Sequence, residues 1–162
     1  MAKLKIDGRI PFFILAGILV ALDQVTKYLL VRAIPLNTGT PIIPGLLNLV
    51  HVHNKGGAFS LFAGSGYPWR QYVFMGLAII VIAAIAYAYG KVGKRDNWTR
   101  IAYICIAGGA IGNLIDRVRL QEVIDFLDVY VGRWHWPAFN VADSAISTGA
   151  VMLLVSLVVG KK

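Results

Sequence analysis

Asp125 and Asp143 are carboxylates with no basic residue three or four positions away on either side. Two such groups that converge in a partly dry site can share one proton. The ionised member then takes a proton from water as general base, and the neutral member supplies one as general acid. They lie in a polar stretch, Gly108 to Asp143, that also holds Asn113, Asp116, Arg117, Glu122, Asp128 and Asn140. Asn113, Asp116 and Arg117 share a helix face by their i, i+3, i+4 spacing, as do Asn140 and Asp143. Asp23 and Lys27 stand i, i+4 and can pair. Asp23–Lys27 and Asp116–Arg117 read as ion pairs that glue helices together. On chemistry alone, a structural network and an acid–base dyad both stay open.

Other chemistries have weaker support. His51, His53 and His135 are metal-ligand types, but His-x-His without an acidic third ligand is a poor site and reads as an exposed strand edge; no metal and no cofactor is expected. Ser60, Ser144 and Ser147 sit in no nucleophile motif such as Gly-x-Ser-x-Gly. No glycine run opens a phosphate loop. Cys105 is the only cysteine, which excludes an internal disulfide and a cysteine-based zinc site, and it reads as a packed thiol.

The elements that must position these groups are membrane spans. The chain is 57% hydrophobic and 15% charged, against about 25% charged in soluble domains. Apolar runs at about Ile10–Val31, Trp69–Gly90, Trp98–Val118 and Pro137–Val159 each reach the roughly 20 residues that cross a bilayer. Trp69, Trp98, Trp134 and Trp136 fall near their ends, where interfacial aromatics belong. The first run is too long for a signal-peptide core of about 7–15 residues and reads as a retained span.

The net charge of +8 suggests nucleic acid, but the cations flank the apolar runs and form no patch. Lys3, Lys5 and Arg9, then Lys91, Lys94, Arg95 and Arg100, then Lys161 and Lys162 mark cytoplasmic segments. Both termini are therefore expected inside, with Ala33–Pro68 and Leu120–Trp136 outside. Counting from Arg9 at about 1.5 Å per residue lifts Asp23 about 21 Å into a core of about 30 Å. Counting down from Pro137 puts Asp143 about 9 Å deep, at the same level. Asn113, Asp116 and Arg117 fall in the same outer half. Aspartate is costly in a bilayer, about 2.5–3.5 kcal/mol near its centre, so such residues persist where they pair or act.

The outer segments are β-prone. Leu46–His53 is bounded by Gly45 and by the turn signal Asn54-Lys55-Gly56-Gly57, with Phe59–Ala63 as its expected hairpin partner. Val123–Tyr130 is too apolar for a free linker. The glycines of Ala33–Pro68 predict a segment that moves and gates the site. Gly108, Gly109 and Gly112 let another helix come close. The predicted fold is an all-α membrane protein, a four-transmembrane-helix bundle with a small extracytoplasmic β-rich segment, forming one domain over residues 1–162.

These residues resemble the lipoprotein signal peptidase family, bacterial signal peptidase II. Asp23-Gln24-Val25-Thr26-Lys27 matches its first stretch. Pro44-Gly45 and Asn54-Lys55-Gly56-Gly57-Ala58-Phe59-Ser60 resemble the second, with Gly57 where the family usually has Ala. Gly108 to Arg117, then Val123-Ile124-Asp125-Phe126, match the third, and Phe139-Asn140-Val141-Ala142-Asp143 the last. The resemblance implies an aspartyl endopeptidase of the bacterial inner membrane that removes signal peptides from diacylglyceryl-modified prolipoproteins, just before the lipidated cysteine. It implies Asp125 and Asp143 as the catalytic pair. It implies Asp23, Lys27, Asn54, Gly109, Asn113, Arg117 and Asn140 as dyad support or substrate contacts. Membrane lipids and globomycin-type inhibitors would be partners, and the site would lie near the outer face. An ion- or proton-coupled carrier remains the runner-up, since intramembrane Asp and Lys also mark proton relays. But no repeated halves with a midplane site are visible. A non-catalytic assembly factor is the third reading.

Overall fold

The structure, a computed structural model, describes residues 10–56, 69–93 and 95–159. In chain order it contains α1 (Ile10–Ala33), β1 (Gly39–Ile43), β2 (Leu47–Asn54), α2 (Trp69–Tyr89), α3 (Asn97–Leu120), β3 (Val123–Val131), β4 (Trp134–His135) and α4 (Val141–Val159). All four helices are long and apolar enough to cross a membrane. The chain is a helical membrane protein with a small antiparallel sheet.

α3 is the centre of the bundle, with 61% of its span buried against 6% in α2 and 11% in α4. α1, α2 and α4 all pack on it, whereas α2 and α4 barely meet. Small residues allow the close approach. A methyl group on Gly108 would meet Leu19 and the Ala16 carbonyl of α1, and one on Gly109 would meet the Ala142 carbonyl and Ile146 of α4. The Asp96 carboxylate caps α3 by accepting from the Thr99 amide at 3.0 Å. Gln121, at φ 61°, ends it with a left-handed turn whose amide donates to the Arg117 carbonyl.

The sheet runs β1-β2-β3-β4. Gly45, at φ +82°, turns β1 into β2, and its amide donates to the Tyr130 hydroxyl at 2.8 Å. The sheet rests on the C-terminal end of α1, where Leu30 and Ile34 pack with Ile124 and Phe126. This burial supplies the apolar support that an isolated hairpin lacks.

Two expectations change. α4 starts at Val141 rather than Pro137, because the Phe139 amide and carbonyl bond to Leu127 of β3 instead of joining a helix. His51 is buried and its backbone bonds Asn37 and Thr38, so it is not an exposed strand edge, whereas His53 lies beyond the reach of β1, which pairs only as far as Val50. The Phe59–Ala63 strand, and the glycine-rich part of the segment predicted to gate, lie outside the described residues. β2 pairs with β3, far away in sequence.

Candidate active site

Asp125 comes from the middle of β3 and Asp143 from the first turn of α4. The Leu127–Phe139 bridge draws the two elements together, since Phe139 immediately precedes the residue that caps α4. That residue is Asn140, which is fully buried. Its side-chain amide donates to Asp125 Oδ1 at 2.8 Å, to the Ile124 carbonyl at 3.1 Å and to Asn113 Oδ1 at 3.2 Å. Its side-chain oxygen accepts from the Asp143 amide at 2.8 Å, while Asp143 Oδ2 accepts from the Asn140 amide at 3.3 Å. This reciprocal pair is a capping box with aspartate in the glutamate position.

Each carboxylate has a second amide donor. Asn54, at the end of β2, faces Val123 and reaches diagonally to Asp125 Oδ2 at 3.0 Å. Asn113 of α3 donates to Asp143 Oδ1 at 2.7 Å. All of these donors are neutral, so the pair is oriented without being neutralised. Burial pushes the Asp125 carboxyl up to about 7, and the Asp143 charge adds to that; the Asn54 and Asn140 amides and the Lys27 charge pull the other way.

A buried charged cluster stands behind the pair. Lys27 Nζ lies 2.8 Å from Asp23 Oδ2, 2.7 Å from Asp116 Oδ2 and 3.2 Å from Asn113 Oδ1, which uses all three ammonium protons. Asp23 Oδ1 accepts from the Ala142 amide at 2.9 Å, fixing the start of α4, and Asp116 Oδ2 accepts from the Ile124 amide at 3.2 Å, fixing β3. Asp116 therefore pairs with Lys27 and not with Arg117, as the sequence suggests. Neighbouring residues on a helix point in different directions, and Asp116 turns toward α1. Arg117 turns the other way, over the Phe74 ring, and donates to the Gly56 carbonyl at 3.1 Å.

Asp23, Lys27, Asn54, Asn113, Asn140 and the two aspartates thus form one hydrogen-bonded network. Arg117 borders it, through a long 3.5 Å bond to the Asn113 carbonyl. Gly109 is outside it and serves the α3–α4 crossing. Sequence reasoning assigned Gln24 no role in the site. Its amide ties Asp23 to Asp116 Oδ1 and to the Gly112 carbonyl. The signal available was its place between Leu22 and Val25 in an apolar span.

The network opens onto a cleft of about 570 Å³. Phe74, Leu77, Ala78 and Val81 of α2 form one wall, at helical spacing. The other side is α3 and α4, and among the described residues α2 and α4 barely meet, which leaves the cleft open laterally between them. Its polar end holds Asn54, Asn113, Arg117 and Asp143; its far end is apolar, at Ile106 and Val81. Among the described residues, no group of three or more His, Cys, Asp or Glu side chains is placed to hold a metal ion.

The model of the signal peptidase (SPase) II family matches residues 15–159. The chain belongs to the signal peptidase II family. A lipoprotein signal peptidase of Cupriavidus taiwanensis is 48% identical over 86% of this chain and 78% of its own length. That of Pseudomonas syringae pv. tomato is 41% identical over 96% and 90%. A bacterial membrane enzyme solved by the in meso method superposes with a TM-score of 0.83, at 30% identity over 94% of this chain and 92% of the other. Signal peptidase II enzymes are aspartic endopeptidases that cleave prolipoprotein signal peptides, and this chain is one of that family in a bacterial membrane.

Proposed function

We propose that Asp125 and Asp143 are the catalytic dyad of this peptidase. The observation that carries this reading is that Asn140 hydrogen-bonds both carboxylates while Asp143 lines the polar end of the cleft between α2 and α4. Asp125, pushed up to about 7 by burial, is the member that carries the shared proton as pH rises toward neutrality. Asp143, in the first turn of α4 where negative charge is favoured, is the general base. It takes a proton from water as the water oxygen attacks the scissile carbonyl carbon. The Asp125 proton passes to the carbonyl oxygen. As the tetrahedral intermediate collapses, the C–N bond breaks, the leaving nitrogen takes up the proton that Asp143 carries, and the carbonyl reforms as a hydroxyl returns its proton to Asp125.

The substrate is a prolipoprotein with a diacylglyceryl-modified cysteine, cut just before that cysteine. Its signal peptide is itself a membrane helix, and the gap between α2 and α4 suits lateral entry. The acyl chains then stay in the bilayer. Arg117 lines the polar end of the cleft, which suits its guanidinium to a substrate carbonyl. Asp23, Lys27, Asn54, Asn113 and Asn140 hold the dyad; Gly109 allows the helix crossing that sets its position. Globomycin-type inhibitors occupy the same cleft. The termini lie in the cytoplasm and the dyad lies near the outer face of the inner membrane.

The test is cleavage of a lipid-modified precursor by purified variants. Asp125→Asn and Asp143→Asn should each abolish cleavage while the protein still inserts and folds. Asp128, bonded to Asn48 and His135, is the internal control, and Asp128→Asn should keep substantial activity. Near-wild-type cleavage by either dyad variant would sink the assignment.

A further inference from the structure

His51 and His53 alternate to the same face of β2, where their Nε2 atoms stand 3.3 Å apart. The other nitrogen of each ring is committed. His51 Nδ1 lies 2.8 Å from the Ile34 carbonyl, and His53 Nδ1 lies 2.8 Å from Glu122 Oε2. A carbonyl and a carboxylate only accept, so both Nδ1 atoms carry the hydrogen. Both Nε2 atoms then face each other with lone pairs, a contact that needs a proton or a metal ion between them. We propose that His51 and His53 hold a zinc ion through their Nε2 atoms, a site outside the peptidase dyad.

The geometry distinguishes the metal. Two imidazole nitrogens about 2.05 Å from a tetrahedral zinc stand roughly 3.3 Å apart, whereas neighbouring ligands at right angles on a tetragonal ion stand about 2.8 Å apart. The observed 3.3 Å fits the tetrahedral ion. The ring centroids are 5.2 Å apart. Rings radiating from one zinc at about 110°, with each nitrogen about 2.0 Å from the metal, put their centroids at roughly that separation.

The surroundings are those of a metal-bound histidine pair. Each ring donates its second N–H to an oxygen, which fixes the tautomer and raises ligand basicity. Glu122 is steadied in turn by Lys55 Nζ at 3.3 Å. The His51 ring is buried, while the His53 side chain is 27% exposed, so an ion can enter from that side and water can complete its coordination. The ion ties the end of α1, through Ile34, to β2 and to Glu122 ahead of β3. Its role is to brace the strand that delivers Asn54.

The experiment is zinc titration of the full-length protein in detergent, free of any histidine tag, against a chromophoric chelator. One zinc per chain is expected, together with a rise in melting temperature. His53→Gln and His51→Asn should each weaken binding at least tenfold, and Glu122→Gln, which keeps both rings, should weaken it by about tenfold or more. His135→Ala, whose ring pairs with Asp128, should bind as the wild type does. X-ray absorption at the zinc edge of the wild-type complex needs no variant and should report two imidazoles. Absence of stoichiometric uptake, uptake that survives both histidine substitutions, or a spectrum without two imidazoles would each overturn the site.

Discussion

Asn140 and Asp143 exchange two hydrogen bonds, the Asp143 amide to Asn140 Oδ1 at 2.8 Å and the Asn140 amide to Asp143 Oδ2 at 3.3 Å. The same Asn140 side chain reaches Asp125 at 2.8 Å. Asn140→Ala should therefore do two separable things. Losing the cap should cost about 1 kcal/mol of stability. Losing the link between the carboxylates should lower kcat by roughly tenfold to a hundredfold with a smaller change in KM. A variant that melts lower but cleaves at the wild-type rate would leave Asn140 with a capping role alone.

The pH dependence follows from Asp125, raised from 3.8 to about 7 by burial first and then by the Asp143 charge. Its folded value exceeds its unfolded one, so folding favours the neutral form. That contribution to stability is full below pH 3.8 and is lost as pH rises through about 7. The same proton is the general acid, so kcat/KM should fall on the alkaline side with a midpoint near 7. A profile measured between about pH 5 and pH 9 that stays flat through neutrality would contradict this assignment of the proton.

Lys27 is 2% exposed and serves two buried carboxylates. Lys27→Met strands both, and a broken buried pair costs about 3–5 kcal/mol. Adding Asp116→Asn should recover part of the loss, because the two positions are in direct contact. Thermal melts of the single and double variants in one detergent are the check; strictly additive losses would mean that the ion pair carries no coupling.

Gly109 faces the Ala142 carbonyl and Ile146 Cγ1. Gly109→Ala should destabilise by about 1–3 kcal/mol, since a backbone carbonyl has little room to move. Gly17, on α1 with nothing within 4 Å of an added methyl group, is the matched control. Gly17→Ala should be neutral or slightly stabilising through helix propensity. Equal melting temperatures for the two variants would rule out a tight α3–α4 crossing.

Orientation in the membrane is tested by single-cysteine labelling after Cys105 is replaced. An impermeant reagent should modify cysteines placed at Lys55 and Arg133 from outside intact spheroplasts, and one placed at Lys91 only after lysis. The reverse pattern would invert the proposed topology.

The sequence by itself determined the membrane class, the helices and the identity of the polar residues. A carboxylate in a long apolar run is conspicuous because its desolvation cost demands a partner or a task. The helices were legible because their hydrogen bonds are local and their length is set by the bilayer. β1 was not legible, being short, exposed and interrupted by Pro41, so that its residues read as a loop. Only the tertiary structure decided which residues meet. The pairing of β2 with β3 joins segments far apart in sequence and carries a register shift between Leu49 and Val52, which no local pattern encodes. That register brings Asn54 to Asp125. Lys27 chose Asp116 over leaving it to Arg117 because the choice depends on which face of α3 meets α1. The start of α4 depended on the bridge from Phe139 to Leu127, and this bridge brings the cap of Asp143 beside Asp125. Residue types fixed what chemistry was available; non-local backbone pairing and helix rotation decided which of those residues share a site.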